Sequence, residues 1–186
     1  MKPFSIKMNL ENGNLEEYRK KIVRRLSDMK GFYIDQEKEK RELSKDPVIY
    51  EVYEVSTPSE AGQLSYGVTI LYPGKIGEEY YMTKGHFHEK ESTGEIYIGI
   101  SGSGILLMET KDGDHHFIEM RRGTIAYVPP NWAHRSINTG KEMLTFLAIY
   151  PSDAGHDYGT IEKKGFRKVV IEVDGKAKIM DNPRYQ

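Results

Sequence analysis

The chain has 186 residues, with 27 lysines and arginines against 28 aspartates and glutamates, and no cysteine. A net charge of −1 argues against a general nucleic-acid or anionic-membrane surface, so any anionic ligand must be met locally. Without cysteine there are no disulfides, thiolate metal sites or cysteine nucleophiles, which fits an intracellular protein better than a small secreted one.

No apolar run is long enough for a signal peptide or a spanning helix. The length suits one domain over residues 1–186, with a short helical extension over 1–46 and a β-barrel over 47–180. In the extension, Asn14 as a cap, Glu17 three places on, and Leu15, Tyr18, Ile22, Leu26 and Met29 spaced by three or four predict a helix ending at Gly31. Its other face carries Arg19, Lys20, Lys21, Arg24 and Arg25, read as a solvated face or an anion contact. A second helix or polar loop is expected over Gln36 to Ser44.

From Pro47 the texture changes to short runs rich in valine, isoleucine and tyrosine, separated by glycine, proline and Asp-Gly turns. The runs are PVIYEVYEV, LSYGVTILY, EEYYMTKGHFH, GEIYIGI, GILLME, HHFIEM, TIAYVP, HRSIN, MLTFLAIY and KVVIEV. Strands spaced so regularly predict an all-β, antiparallel sandwich or barrel.

Within TKGHFHEKESTGE, His86 and His88 are two apart, so on a strand both imidazoles point to one side. Glu95 follows a polar turn at the start of the next apolar run, where a hairpin would return its carboxylate beside them. Downstream, GTIAYVPPNWAHRSIN carries Gly123, Pro129, His134 and Asn138. His115 and His116 follow the turn KDGD and read as edge or surface residues.

These two motifs together resemble those of the cupin family, which implies a jelly-roll β-barrel and the ligand set His86, His88, Glu95 and His134. The second motif departs from the family pattern in having Asn131 for glycine, a change that asparagine's tolerance of positive φ allows. In the first, the turn between His88 and Glu95 is longer than usual. Three imidazoles and a carboxylate make an N/O donor set for one divalent ion, with Fe(II) expected first and Ni, Mn or Zn as the others.

MTKGHFH, EMRRGTIAYVPPNWAHRSINTG and FLAIYPSDAGHDYGTIEKKGF further resemble the cupin-type phosphoglucose isomerases of archaea, and the likeness runs over almost the whole chain. That resemblance implies reversible conversion of glucose 6-phosphate to fructose 6-phosphate in glycolysis and gluconeogenesis, in the cytoplasm, by a homodimer. It implies Glu95, Tyr97 and His156 as catalytic residues, and Tyr50, Thr69, Thr83, Gly85, Tyr150 and Tyr158 as substrate contacts. Strict alternation would place Lys84 beside His86 and His88, whereas the resemblance favours Thr83 and Gly85; a bulge at Lys84–Gly85 reconciles the two. Lys84 and Arg135 are secondary candidates for the cation a phosphate needs. A non-haem Fe(II) dioxygenase and a non-catalytic sugar-binding cupin are the alternatives.

Overall fold

The computed structural model describes residues 1–185. In chain order its strands are β1 (Lys20–Arg25), β2 (Val48–Val55), β3 (Leu64–Leu71), β4 (Lys75–Ile76), β5 (Glu79–Tyr80), β6 (Glu95–Ser101) and β7 (Ser103–Thr110). They continue with β8 (His115–Arg121), β9 (Ile125–Val128), β10 (Trp132–Asn138), β11 (Leu144–Pro151), β12 (Lys168–Val173) and β13 (Lys176–Asp181). Two short helices, α1 (Gln36–Glu42) and α2 (Gly159–Lys164), and a 3-10 turn at Leu26–Met29 complete it.

All strand pairs are antiparallel, as β-branched and aromatic residues alternating with polar ones favour. The strands form three sheets, a six-stranded one of order β1-β2-β3-β11-β6-β9, a three-stranded one, β10-β7-β8, and a four-stranded one, β13-β12-β5-β4. The architecture is all-β and antiparallel, as the sequence predicts. The core between the sheets is apolar, with Leu106, Met120, Ile137, Leu144 and Phe166 fully buried.

The helix expected from Asn14 to Gly31 does not form. Lys20–Arg25 instead adds to the β2 edge, Ile22 opposite Val52 and Arg24 opposite Tyr50, and only Leu26–Met29 turns helically. An isolated short helix gains little by itself, and the β-branched pair Ile22-Val23 suits a strand beside an open sheet edge. The apolar spacing served a different end: Leu26 and Met29 enter the core through the 3-10 turn, while Tyr18 stays 47% exposed. α1 falls within the expected Gln36–Ser44 span, capped by Asp35, whose side chain accepts the Lys38 N–H at 2.8 Å. The sequence reading did not anticipate α2, β4 or β13. β13 joins β12 through Asp174 and Gly175, both at positive φ (52° and 73°), as a two-residue hairpin turn requires.

Glu79 on β5 is 1% exposed, with Oε2 accepting the Ile34 N–H at 2.7 Å and Oε1 unpartnered. Burial raises its carboxyl from 4.5 to about 7, against the pull of the Ile34 hydrogen bond and of Arg135 and Arg184. With the folded value above the unfolded one, the native chain binds more protons between them, so stability falls as pH rises through that window. Glu79→Gln should remove this slope and raise the melting temperature more at about pH 8 than at about pH 5, a difference of about 3 kcal/mol. Parallel pH profiles for the two proteins would contradict the buried-carboxyl account.

Candidate functional site

The chain from Tyr81 to His88 is not a regular strand, although the sequence reads as one. It runs along the free edge of β10: the Asn138 N–H donates to Tyr81 O, the Thr83 N–H to Ser136 O, and His86 and His134 exchange both bonds at 3.3 and 3.1 Å. Three steps from Thr83 to His86 oppose two from Ser136 to His134, so the bulge lies at Lys84–Gly85. Gly85 has φ +74°, and a β-carbon there would lie 2.6 Å from Phe166. Only glycine fits this bend. The corner before β10 turns on Asn131, at φ +69°.

The bulge aims His86 inward beside His134, and the Glu89–Gly94 turn brings Glu95, first residue of β6, back to His88. His86, His88, Glu95 and His134 offer one donor atom apiece, all within 4.8 Å of one another. His88 Nδ1 lies 3.1 Å from the Thr93 carbonyl, and His134 Nδ1 3.3 Å from the Trp132 carbonyl. A carbonyl only accepts, so each Nδ1 carries a proton and Nε2 is the nitrogen left to bind a metal. His88 Nε2 is 3.1 Å from Glu95 Oε2. His134 Nε2 lies 3.0 Å from the same oxygen but is out of line for a hydrogen bond.

Burial would raise the Glu95 carboxyl, yet the adjoining His134 and His88 hold it down at about 2. His86 is driven well below its usual value, by burial first and then by the neighbouring imidazoles. His86 Nε2 and His134 Nε2 are buried without hydrogen-bond partners. Such orphans cost about 1–3 kcal/mol each, and here they converge on an anionic carboxylate. The donor set fits a divalent cation.

The cluster opens onto a cavity of about 460 Å³ on the inner face of the six-stranded sheet. Tyr50, Thr69, Thr83, Gly85, Tyr97, Tyr150, His156 and Tyr158 all line it, with His86, Glu95 and His134; His88 sits behind the wall. Strand register explains the floor: Thr69 lies between Val52 and Phe146, and Ala148 between Gly67 and Tyr97, placing alternate residues of β2, β3, β11 and β6 on one face. Tyr97 lies two residues beyond Glu95 on that face. His156 and Tyr158 stack at 5.7 Å with planes 7° apart, and His156 is 4.5 Å from the His86 ring. The loop bearing them is pinned by the Phe87–Asp157 bridge and the Lys90–Asp153 ion pair at 2.6 Å.

Burial raises the phenols of Tyr50 (to about 12), Tyr97, Tyr150 and Tyr158, so all four stay protonated donors, and it lowers His156. Thr83 Oγ1 accepts the Ser136 N–H at 3.0 Å and keeps its own proton to donate.

Arg135 is not at the cavity. It is 3% exposed, 4.4 Å from the Phe166 ring, and donates from Nε and Nη2 to the Lys84 carbonyl at 3.3 and 2.6 Å. A phosphate cannot reach it there, and it braces the bulge instead. Lys84 lines the cavity but pairs with Glu162 at 3.2 Å. His115 and His116 stand exposed on β8, outside the cluster. Lys20 and Arg24, expected on a solvated or anion-contacting helix face, and Ile22, expected on its apolar side, reach the cavity from β1 instead, and Glu54, which sequence reasoning missed, reaches it from β2. The inward alternation of KKIVRR was the available signal.

The sequence matches the family described as Glucose-6-phosphate isomerase (GPI) over residues 23–185. It is 51% identical to "Glucose-6-phosphate isomerase" of Thermococcus kodakarensis, over all of this chain and 97% of that one. It is 52% identical to the protein of the same name from Thermococcus litoralis, over 99% and 97%. Among solved structures, an oxalate decarboxylase superposes over 57% of this chain and 26% of its own, with 25% identity and a TM-score of 0.46. On the strength of the whole-length matches, the chain belongs to the glucose-6-phosphate isomerase family.

Proposed function

We propose that this protein interconverts glucose 6-phosphate and fructose 6-phosphate, using a divalent ion held by His86, His88, Glu95 and His134. The observation that carries the reading is the buried cluster of three imidazoles and a carboxylate opening onto a cavity of phenols, in a chain about half identical to named glucose-6-phosphate isomerases. When bound, the ion supplies Lewis acidity towards the sugar oxygens.

Aldose to ketose conversion moves a hydrogen from C2 to C1 and the carbonyl from C1 to C2. Glu95 takes the C2 proton of the open-chain aldose, and the electrons of that bond form the C1–C2 double bond of a cis-enediol. His156, kept neutral by burial, carries the hydroxyl proton from O2 to O1. Glu95 then returns its proton to C1 as the C2 carbonyl forms. Tyr97, beside Glu95, donates to a sugar oxygen, as do Thr69 and Tyr150, while Tyr50, Thr83, Gly85 and Tyr158 hold the phosphate end.

Within this reading the ion is Fe(II), with Ni, Mn and Zn as the other candidates an N/O donor set without a soft ligand accepts. The enzyme is a homodimer, and Ile96, Ile125 and Tyr127, exposed by 40, 73 and 58% on the outer face of β6 and β9, are apolar surface a second copy would cover. The lack of cysteine and the glycolytic substrate support a cytoplasmic setting.

Glucose 6-phosphate deuterated at C2, turned over under nitrogen in ordinary water, tests the chemistry. The expected product has lost deuterium to solvent. Complete transfer to C1 would contradict proton shuttling by Glu95, and a strict need for oxygen would favour a dioxygenase.

A further inference from the structure

The strand that the sequence disguises as a helix carries cations into the cavity. Lys20, Ile22 and Arg24 are its inward residues and line the wall, Arg24 opposite Tyr50 and Lys20 opposite Glu54. The Arg24 guanidinium lies close enough to the Tyr50 and Tyr158 hydroxyls to oppose the rise that burial imposes on both phenols, and the Lys84 amide reaches the Tyr50 hydroxyl as well. At the bulge, the Lys84 and Gly85 N–H groups meet no carbonyl among the described residues. Consecutive amides claimed by no carbonyl, ending in a left-handed glycine, make a concavity suited to an anion.

Every other cation near this end is engaged or peripheral. Lys84 holds Glu162, Arg135 is spent on the Lys84 carbonyl, and Lys20 is exposed at the rim facing Glu54. Arg24, half-buried, forms no salt bridge among the described residues.

We propose that Arg24 recognises the phosphate dianion of the substrate and so sets the preference for phosphorylated over free sugars. Its planar fork closes on the phosphate from β1, opposite the Lys84 and Gly85 amides, while the Tyr50 and Tyr158 hydroxyls take the remaining oxygens. The inference rests on the sugar-phosphate reading of the cavity.

The test uses the metal-loaded protein and its Arg24→Gln and Arg24→Lys variants, with inorganic phosphate titrated by calorimetry and kcat/KM measured on fructose 6-phosphate. In Arg24→Gln the phosphate Kd should rise at least about tenfold and kcat/KM fall about 100-fold, with bound metal per subunit equal to the parent's. Arg24→Lys should recover part of both losses, since it keeps the charge and loses the fork. A phosphate Kd in Arg24→Gln equal to the parent's overturns the proposal, whatever happens to turnover. A parent protein inert towards fructose 6-phosphate defeats the isomerase reading instead, and the phosphate titration still decides the role of Arg24.

Discussion

Glu95→Gln should lower kcat on fructose 6-phosphate by about 10²–10⁴-fold, the range for loss of a positioned proton-transfer group. The substitution keeps the size of the side chain and an oxygen facing His88 Nε2, now 3.1 Å from Oε2, so the fold has little reason to change. What it removes is the negative charge that His134 and His88 stabilise. Both roles given to Glu95 depend on that charge, one as a ligand and the other as the base that moves the proton between C2 and C1. Three imidazoles remain, so metal affinity should drop while some ion is still retained; turnover and metal content therefore separate. Stopped assays with metal analysis of the same samples measure both. Turnover within a factor of about three of the parent, far below the 10²-fold floor, would rule out both roles.

Removing an imidazole should act on metal and turnover together. His134→Ala leaves the β10 backbone and its two bonds to His86 in place, because these use main-chain atoms. It takes away a side chain 1% exposed whose Nε2 has no hydrogen-bond partner. His88→Ala additionally releases the Thr93 carbonyl and hydroxyl that orient its ring. Losing even the group that orients a ligand costs about 10–100-fold in metal affinity, so losing the ligand should cost more. We expect bound metal below about a tenth of the parent's and activity reduced in proportion, with His115→Ala, on the exposed face of β8, like the parent in both. Full metal content in His88→Ala and His134→Ala would dismantle the assigned donor set.

Much of this was legible in the chain because the relevant signals are local. Period-two alternation identified the long strands, and Asn131 at φ +69° shows why asparagine can replace glycine at that corner. The His86–His88 spacing pointed to convergence, although the segment is extended chain bridged to β10 rather than a strand, and the Lys84–Gly85 bulge could be inferred from the conflict between alternation and contact pattern. The failures share a cause in tertiary context. Ile22, Leu26 and Met29 fit a helical period, and nothing local reveals that the edge of β2 lies open to receive Lys20–Arg25. That one error set Arg24 on a helix face instead of in the cavity wall. Arg135 adjoins His134 in sequence and looked like a site residue, but neighbours on a strand point to opposite faces, and it braces the bulge from behind.

The central claim is that His86, His88, Glu95 and His134 together hold a divalent ion on which the isomerisation depends. The most direct measurement strips the purified protein with a chelator, assays it on fructose 6-phosphate, and resupplies single divalent ions while counting bound metal per subunit. The account predicts activity that disappears on stripping and returns in step with one ion bound per subunit. Undiminished isomerisation by the metal-free protein would contradict it.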